Sequence, residues 1–181
     1  VWDYDSLDFL MQYDLPFLKI PSAMISDTKL VEECAKSGVA ICISSGMSSL
    51  EEVDKAVNSV MKFTDNFVLM HTNSSYPTPP EELNLSLIPF YKERYNCTVG
   101  YSGHEEKLEP TVIAVTLGAK VIERHITLSH NLWGTDQKSS VEVVGMDILR
   151  KRIENVDLVI GTPIKEVTKS EIPIRKKLRG D

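Results

Sequence analysis

Five short β-rich runs recur along the chain, and each is followed by a stretch whose apolar residues repeat with helical spacing. The runs are FLKI (Phe17 to Ile20), VAICIS (Val39 to Ser44), FVLMH (Phe67 to His71), CTVGYS (Cys97 to Ser102) and KVIERHI (Lys120 to Ile126). Their starts lie about 22 to 30 residues apart, the length of one βα unit. No hairpin signal separates them, so successive strands must run parallel and be joined by helical crossovers, which are right-handed. The fold class is α/β. An open doubly wound sheet is satisfied by five units, whereas a closed (β/α)8 TIM barrel needs three more, so the pattern alone favours the open sheet.

The helices carry their own punctuation. Asp27 can cap LVEECAKS, with Gly38 stopping it, and Ser48 or Ser49 can cap LEEVDKAVNSVMK, placing Leu50, Val53, Val57, Val60 and Met61 on one face. Pro110 suits the first turn of TVIAVTLGAK. A last long helix from about Val143 to Val159 aligns Met146, Leu149, Ile153 and Val159 in one stripe.

With 181 residues, 42% of them hydrophobic, the chain can bury a real core and fits one domain or a large piece of one. A net charge of -6 leaves no electrostatic footprint for nucleic acid, and the basic KKLRG reads as a solvated terminus. The three cysteines, Cys34, Cys42 and Cys97, form no CxxC pair, which fits buried reduced thiols in a cytoplasmic protein. No apolar run has the length of a membrane span, and the start VWDYDSLDFL lacks the features of a signal peptide, so no membrane partner is expected.

Either architecture places ligands beyond the carboxyl ends of the strands. That edge carries Lys19 and Ser22, then Ser44 and Ser45, then His71 through Tyr76, then Ser102 and His104, and finally Glu123 and His125. Lys19 supplies fixed charge, and the hydroxyls of Ser22, Ser44 and Ser102 supply donors, a set that suits a phosphate or carboxylate. Strand alternation turns Arg124 the other way, toward the helix layer. His104 and His125 end neighbouring strands and would converge as a metal or acid/base pair. Two imidazoles leave coordination positions open, which fits a catalytic divalent ion retaining water better than a closed structural zinc site. Asp136, in WGTDQ, could accept a substrate hydroxyl or orient a base. His71 and His130 carry less information.

From LKIPSAMISDTKLVEECAKSG and ISSGMSSLEEV through SSYPTPPEELNL to GYSGHE, LGAKVIERHITL and WGTDQKSS, the chain resembles the sialic acid synthases. These NeuB-like enzymes condense phosphoenolpyruvate with an N-acylated amino sugar such as N-acetylmannosamine. The resemblance implies a (β/α)8 barrel in place of the open sheet, with these five units as its fourth to eighth, residues 1–165 forming the partial barrel and 166–181 a tail or linker. The first three strands would precede Val1, and the fragment alone would be inactive.

By the same resemblance, His104 and His125 match the family's metal ligands, for manganese or magnesium. Lys19, Ser22, Ser44 and Ser102 match its phosphoenolpyruvate contacts, and Tyr76 and Asp136 its sugar contacts. Glu123 matches an acidic residue beside the second metal histidine, with polar support near the metal as its implied role. A homodimer is implied for the full-length protein. Two departures bear on the sugar: PSAM puts Met24 where an acidic residue is common, and Ser74 stands where some members carry asparagine. A 2,4-diamino sugar or another aldose would also fit the class. Two other readings of the histidine pair stay open, a metal-dependent TIM-barrel hydrolase and a non-catalytic sugar-phosphate-binding barrel.

Overall fold

The computed structural model of the chain describes residues 1–180. Its first half runs α1 (Tyr4–Leu10), β1 (Leu18–Ile20), α2 (Thr28–Lys36), β2 (Ile41–Ser44), α3 (Leu50–Met61), β3 (Phe67–Thr72) and α4 (Leu87–Tyr95). Then follow β4 (Thr98–Gly103), α5 (Glu109–Thr116), β5 (Val121–Arg124), β6 (Ile126–Thr127), β7 (Val141–Glu142), α6 (Val143–Glu154), α7 (Val156–Ile160) and α8 (Glu171–Arg179). The strands β1 to β5 form one parallel sheet in sequential order, and β6 pairs with β7 in a separate short ladder.

That order corrects the doubly wound sheet favoured by the pattern alone. A doubly wound sheet reverses direction at a switch point, whereas here each crossover steps the same way and lays its helix on the same face. Leu18, Ile20, Ile41, Ile43, Leu69 and Val99 accordingly pack with Leu30, Val53, Val57 and Ile88 in one core between sheet and helices. The sheet is also curled. Four flat inter-strand steps would set β1 and β5 roughly 19 Å apart, yet Lys19 Nζ on β1 lies 3.6 Å from Glu123 Oε2 on β5. Only a sheet bent into part of a barrel lets those two side chains meet. Gly100 makes room on the concave face: a Cβ there would come within 2.2 Å of Met70 Sδ and 2.7 Å of the Val121 carbonyl.

Capping follows the sequence closely. Asp27 accepts from the Leu30 N–H at 3.0 Å. Ser49, of the two serines considered, forms a full capping box with Glu52, donating its N–H to the carboxylate at 2.7 Å. Val53, Val57 and Val60 are buried with Ala56, but Leu50 and Met61 are 41% and 51% exposed. A helix of 12 residues is about 18 Å long, longer than the four-residue β2 beneath it, so its two ends overhang the sheet. Pro110 sits in the first turn of α5 as expected.

The expected Val143 to Val159 helix is instead broken at Asn155, which ends α6 and begins α7. Leu149 and Val156 are buried there, while Met146 and Val159 are 37% and 81% exposed. This last helical layer packs on α5 at the margin of the sheet, and its other sides, Val144, Leu158 and Val159 among them, are exposed. Beyond it, residues 161–180 are exposed throughout and include α8. Cys34 and Cys42 are buried and Cys97 is half-buried, all as free thiols, and burial pushes the Cys34 thiol up to about 11. Among the described residues, no helix is long and apolar enough to cross a membrane.

Ile43, fully buried in β2 between sheet and helices, reports on the integrity of this core. Its replacement by alanine is expected to destabilise the chain by about 2–5 kcal/mol, from lost transfer free energy plus the cavity left behind. A urea or thermal unfolding midpoint unchanged from wild type would contradict that placement.

Candidate active site

Alternation along the parallel strands puts Lys19, Ser44, Thr72, Ser102 and Glu123 on the concave face, at the carboxyl end of the sheet. The register aligns Thr72 with Ser102 and Ser102 with Glu123. Above them the loops close a cavity of about 360 Å³ lined by Lys19, Ser22, Ser44, Ser74, Tyr76, Ser102, His104, Glu123 and His125, with Trp2, Met47 and Thr72. Of the residues that the resemblance assigns to metal, phosphoenolpyruvate or sugar, all meet there except Asp136, which stands at the rim with Oδ2 3.5 Å from His125 Nδ1; Ser45 and His71 lie outside it. Met24 does not line this cavity; it packs against the hydrophobic core. A larger hollow of about 500 Å³ beside α6 is lined by Ile126, Leu128, Val141 and Val143 and holds no imidazole.

Lys19 is the cationic floor. Its Nζ donates to Ser44 Oγ at 2.8 Å and faces Glu123 at 3.6 Å. Glu123 in turn accepts from Ser102 Oγ at 2.8 Å. Lys19, two buried hydroxyls and one carboxylate thus form a continuous chain across the curled sheet, from β1 to β5. Ser22 enters from the turn after β1 and accepts the Gly46 N–H at 3.0 Å, leaving its own proton free to donate. Gly46 must be a glycine for this approach: a Cβ would lie 2.3 Å from Ser74 Oγ and 2.7 Å from Ser22 Oγ.

The imidazoles lie side by side, with ring centroids 5.2 Å apart and planes at 87°. His104 is buried at 5% exposure. Its Nδ1 lies 2.6 Å from the Asn73 carbonyl, an acceptor only, so Nδ1 carries the proton and the Nε2 lone pair faces the cavity. Tyr76 donates its hydroxyl to that nitrogen at 3.2 Å and stacks on the ring at 4.2 Å. Burial holds His104 below the ordinary imidazole value, with the Asn73 hydrogen bond opposing and His125 reinforcing the shift. The ring is therefore neutral at neutral pH, the form that binds metals. Burial first, then the charges of Asp136 and Glu123, raise the Tyr76 phenol, so it stays protonated as a donor.

Among the described residues, no cluster of three or more His, Cys, Asp or Glu side chains is close enough to enclose an ion. The donor set nevertheless suits an open divalent site. A carbonyl fixes the tautomer of His104 and aims Nε2 inward, the arrangement usual for a ligating histidine, and His125 presents a second ring beside it. Substrate and water would have to complete the coordination.

The Asn73 carbonyl, Trp2 and Met47 were not singled out from the sequence. A backbone oxygen leaves no trace in residue type, and the two apolar side chains belong to segments outside the strand pattern. His71, by contrast, faces the helix layer: its Nε2 lies 2.7 Å from the Leu83 carbonyl, and its ring neighbours Tyr91 and Tyr101.

A curled, sequentially wound parallel sheet with a lysine, hydroxyls and paired imidazoles at its carboxyl edge defines the class: a half-barrel α/β fold with its candidate site above the strands. The chain belongs to the NeuB family, whose family model matches residues 1–165. It is 34% identical over 177 residues to human N-acetylneuraminate-9-phosphate synthase, covering 97% of this chain and 49% of that protein. It is 35% identical over 173 residues to the N,N'-diacetyllegionaminic acid synthase of Campylobacter jejuni, covering 94% and 52%. The crystal structure of the N-acetylneuraminic acid synthetase of Leptospira borgpetersenii in complex with citrate superposes with a TM-score of 0.87 at 33% identity, over 99% of this chain and 64% of that one. The chain thus spans about half the length of the curated relatives it matches.

Proposed function

We propose that the full-length protein condenses phosphoenolpyruvate with an N-acylated amino sugar and water, giving a nonulosonic acid and phosphate. The observation that carries this reading is the meeting of Lys19, Ser22, Ser44 and Ser102 with the His104 and His125 pair in one cavity. The relatives are synthases of sugars of this class. They act toward different products, so the sugar itself is left to experiment.

Lys19, with the three serine hydroxyls, would hold the phosphate and carboxylate of phosphoenolpyruvate, turning a two-substrate encounter into a positioned reaction. Tyr76 and Asp136 would orient the open-chain sugar so that its aldehyde carbon faces the methylene carbon. That carbon forms the new C–C bond, water adds at the former enol carbon, and phosphate leaves with C–O cleavage. Glu123, already accepting from Ser102, would keep that hydroxyl aimed. His104 and His125 would hold a manganese or magnesium ion, whose contribution when bound is Lewis-acid polarisation of the aldehyde oxygen. Strands supplied by the rest of the protein would close the barrel around this half of the site.

A phosphate-release assay of the full-length protein with phosphoenolpyruvate, manganese and a panel of amino sugars tests the reading. Release is expected only when phosphoenolpyruvate and an accepted sugar are both present. Release from phosphoenolpyruvate alone, or from a sugar phosphate alone, would point to the hydrolase instead.

A further inference from the structure

Directly behind the two imidazoles lies an ion pair that faces away from the cavity. Glu105 follows His104 in the chain and Arg124 precedes His125. Arg124 Nη1 lies 2.8 Å from Glu105 Oε1, with the side chains 1% and 3% exposed. Around this pair the hydrogen bonding is dense. Arg124 also donates to Thr111 Oγ1 at 2.9 Å and to the Glu105 carbonyl at 2.5 Å. Glu105 accepts from Tyr101 OH at 2.7 Å and from Thr111 Oγ1 at 3.1 Å. Arg124 Nη2 further reaches the Ser139 carbonyl at 3.5 Å, on the loop that carries Asp136.

Burying two charges is costly, and well-packed apolar residues of similar volume commonly hold a fold at least as well. The cost is visible in Arg124 Nε, which is buried without a hydrogen-bond partner among the described residues. Gly103 points the same way: a Cβ there would lie 2.5 Å from Glu105 Oε2 and 2.7 Å from the Tyr101 ring, so the strand end leaves space for the carboxylate to fold back. What the pair does locally is tie the residue after one cavity imidazole to the residue before the other, across the ends of β4 and β5.

We propose that Glu105 and Arg124 are positioning residues whose ion pair sets the mutual placement of His104 and His125, and through it the affinity of that pair for a divalent ion. The affinity part rests on the metal role proposed above; the placement part does not. In the full-length protein, Arg124→Met is expected to weaken Mn²⁺ binding, followed by calorimetry and by the electron spin resonance of the bound ion, by roughly 10- to 100-fold. Arg124→Lys should recover part of that loss. Glu105→Gln, which keeps the shape and most hydrogen bonds, provides a second test should Arg124→Met fail to fold.

The imidazole resonances of His104 and His125 in the metal-free protein should also shift in both variants, a change that a purely structural role elsewhere in the core would not produce. Folded variants with wild-type Mn²⁺ affinity and unmoved imidazole resonances would overturn the proposal. Wild-type protein that binds no Mn²⁺ in a His125-dependent way would overturn the metal role and the affinity part together. The resonances would still decide whether the ion pair places the rings.

Discussion

Replacing His125 by alanine in the full-length protein is expected to abolish metal-dependent phosphate release while leaving the fold intact. The side chain of His125 is 34% exposed at the cavity wall, so its truncation opens no buried void. Its ring is 5.2 Å from that of His104 and 5.5 Å from that of Tyr76, so its loss removes one of two imidazoles where an ion would sit. Lewis-acid polarisation supplies several kcal/mol of transition-state stabilisation, and each ~1.4 kcal/mol is tenfold in rate, so a loss of about 10³-fold or more follows. Initial rates of phosphate release, with circular dichroism and a thermal melt as controls, separate chemistry from folding. Near-normal turnover of this variant at saturating manganese would remove His125 from the metal site. His104→Ala is a less clean probe: the side chain is buried and its Nδ1 donates to the Asn73 carbonyl, so its loss would also loosen the loop after β3.

The sequence made the strands legible because each is a short β-rich run bounded by helix punctuation, and strand alternation correctly turned Arg124 away from the cavity. What alternation cannot carry is curvature. Nothing in the spacing of FLKI and KVIERHI places their side chains in contact, and the meeting of Lys19 with Glu123 at 3.6 Å depends on the bend accumulated over the whole sheet. The choice between an open sheet and part of a barrel was therefore decided by resemblance, and strand order supplied the physical reason. Helix faces were legible in their centres and not at their ends: Leu50 and Met61 fit the period of α3 yet project beyond the sheet. The break at Asn155 carries no proline or glycine to announce it. Within the site, residue types pointed to the right edge, but the tautomer of His104 depends on a carbonyl at Asn73 that no side-chain pattern records.

Lys19→Met should reduce kcat/KM for phosphoenolpyruvate by roughly 10²–10³-fold, the range seen when a preorganised donor to developing negative charge is removed. Methionine keeps an unbranched apolar stem one atom shorter than that of lysine and lacks the ammonium with its charge and hydrogen bonds, so the concave face should stay largely filled. The loss has two sources. The proposed anion site would be deprived of its fixed cation, and Glu123, whose carboxylate now has Lys19 3.6 Å away, would become an uncompensated negative charge beside the same site. Because the Lys19 side chain is 27% exposed and that of Glu123 is 42% exposed, solvent and salt screen part of this repulsion. The residual activity of Lys19→Met should therefore rise in the double variant with Glu123→Gln, which removes the repelling charge without restoring the donor. Kinetics with phosphoenolpyruvate varied at saturating sugar, then the reverse, locate the effect. A defect confined to the sugar's KM would place Lys19 on the sugar side of the cavity and reassign the anion site to the serines alone.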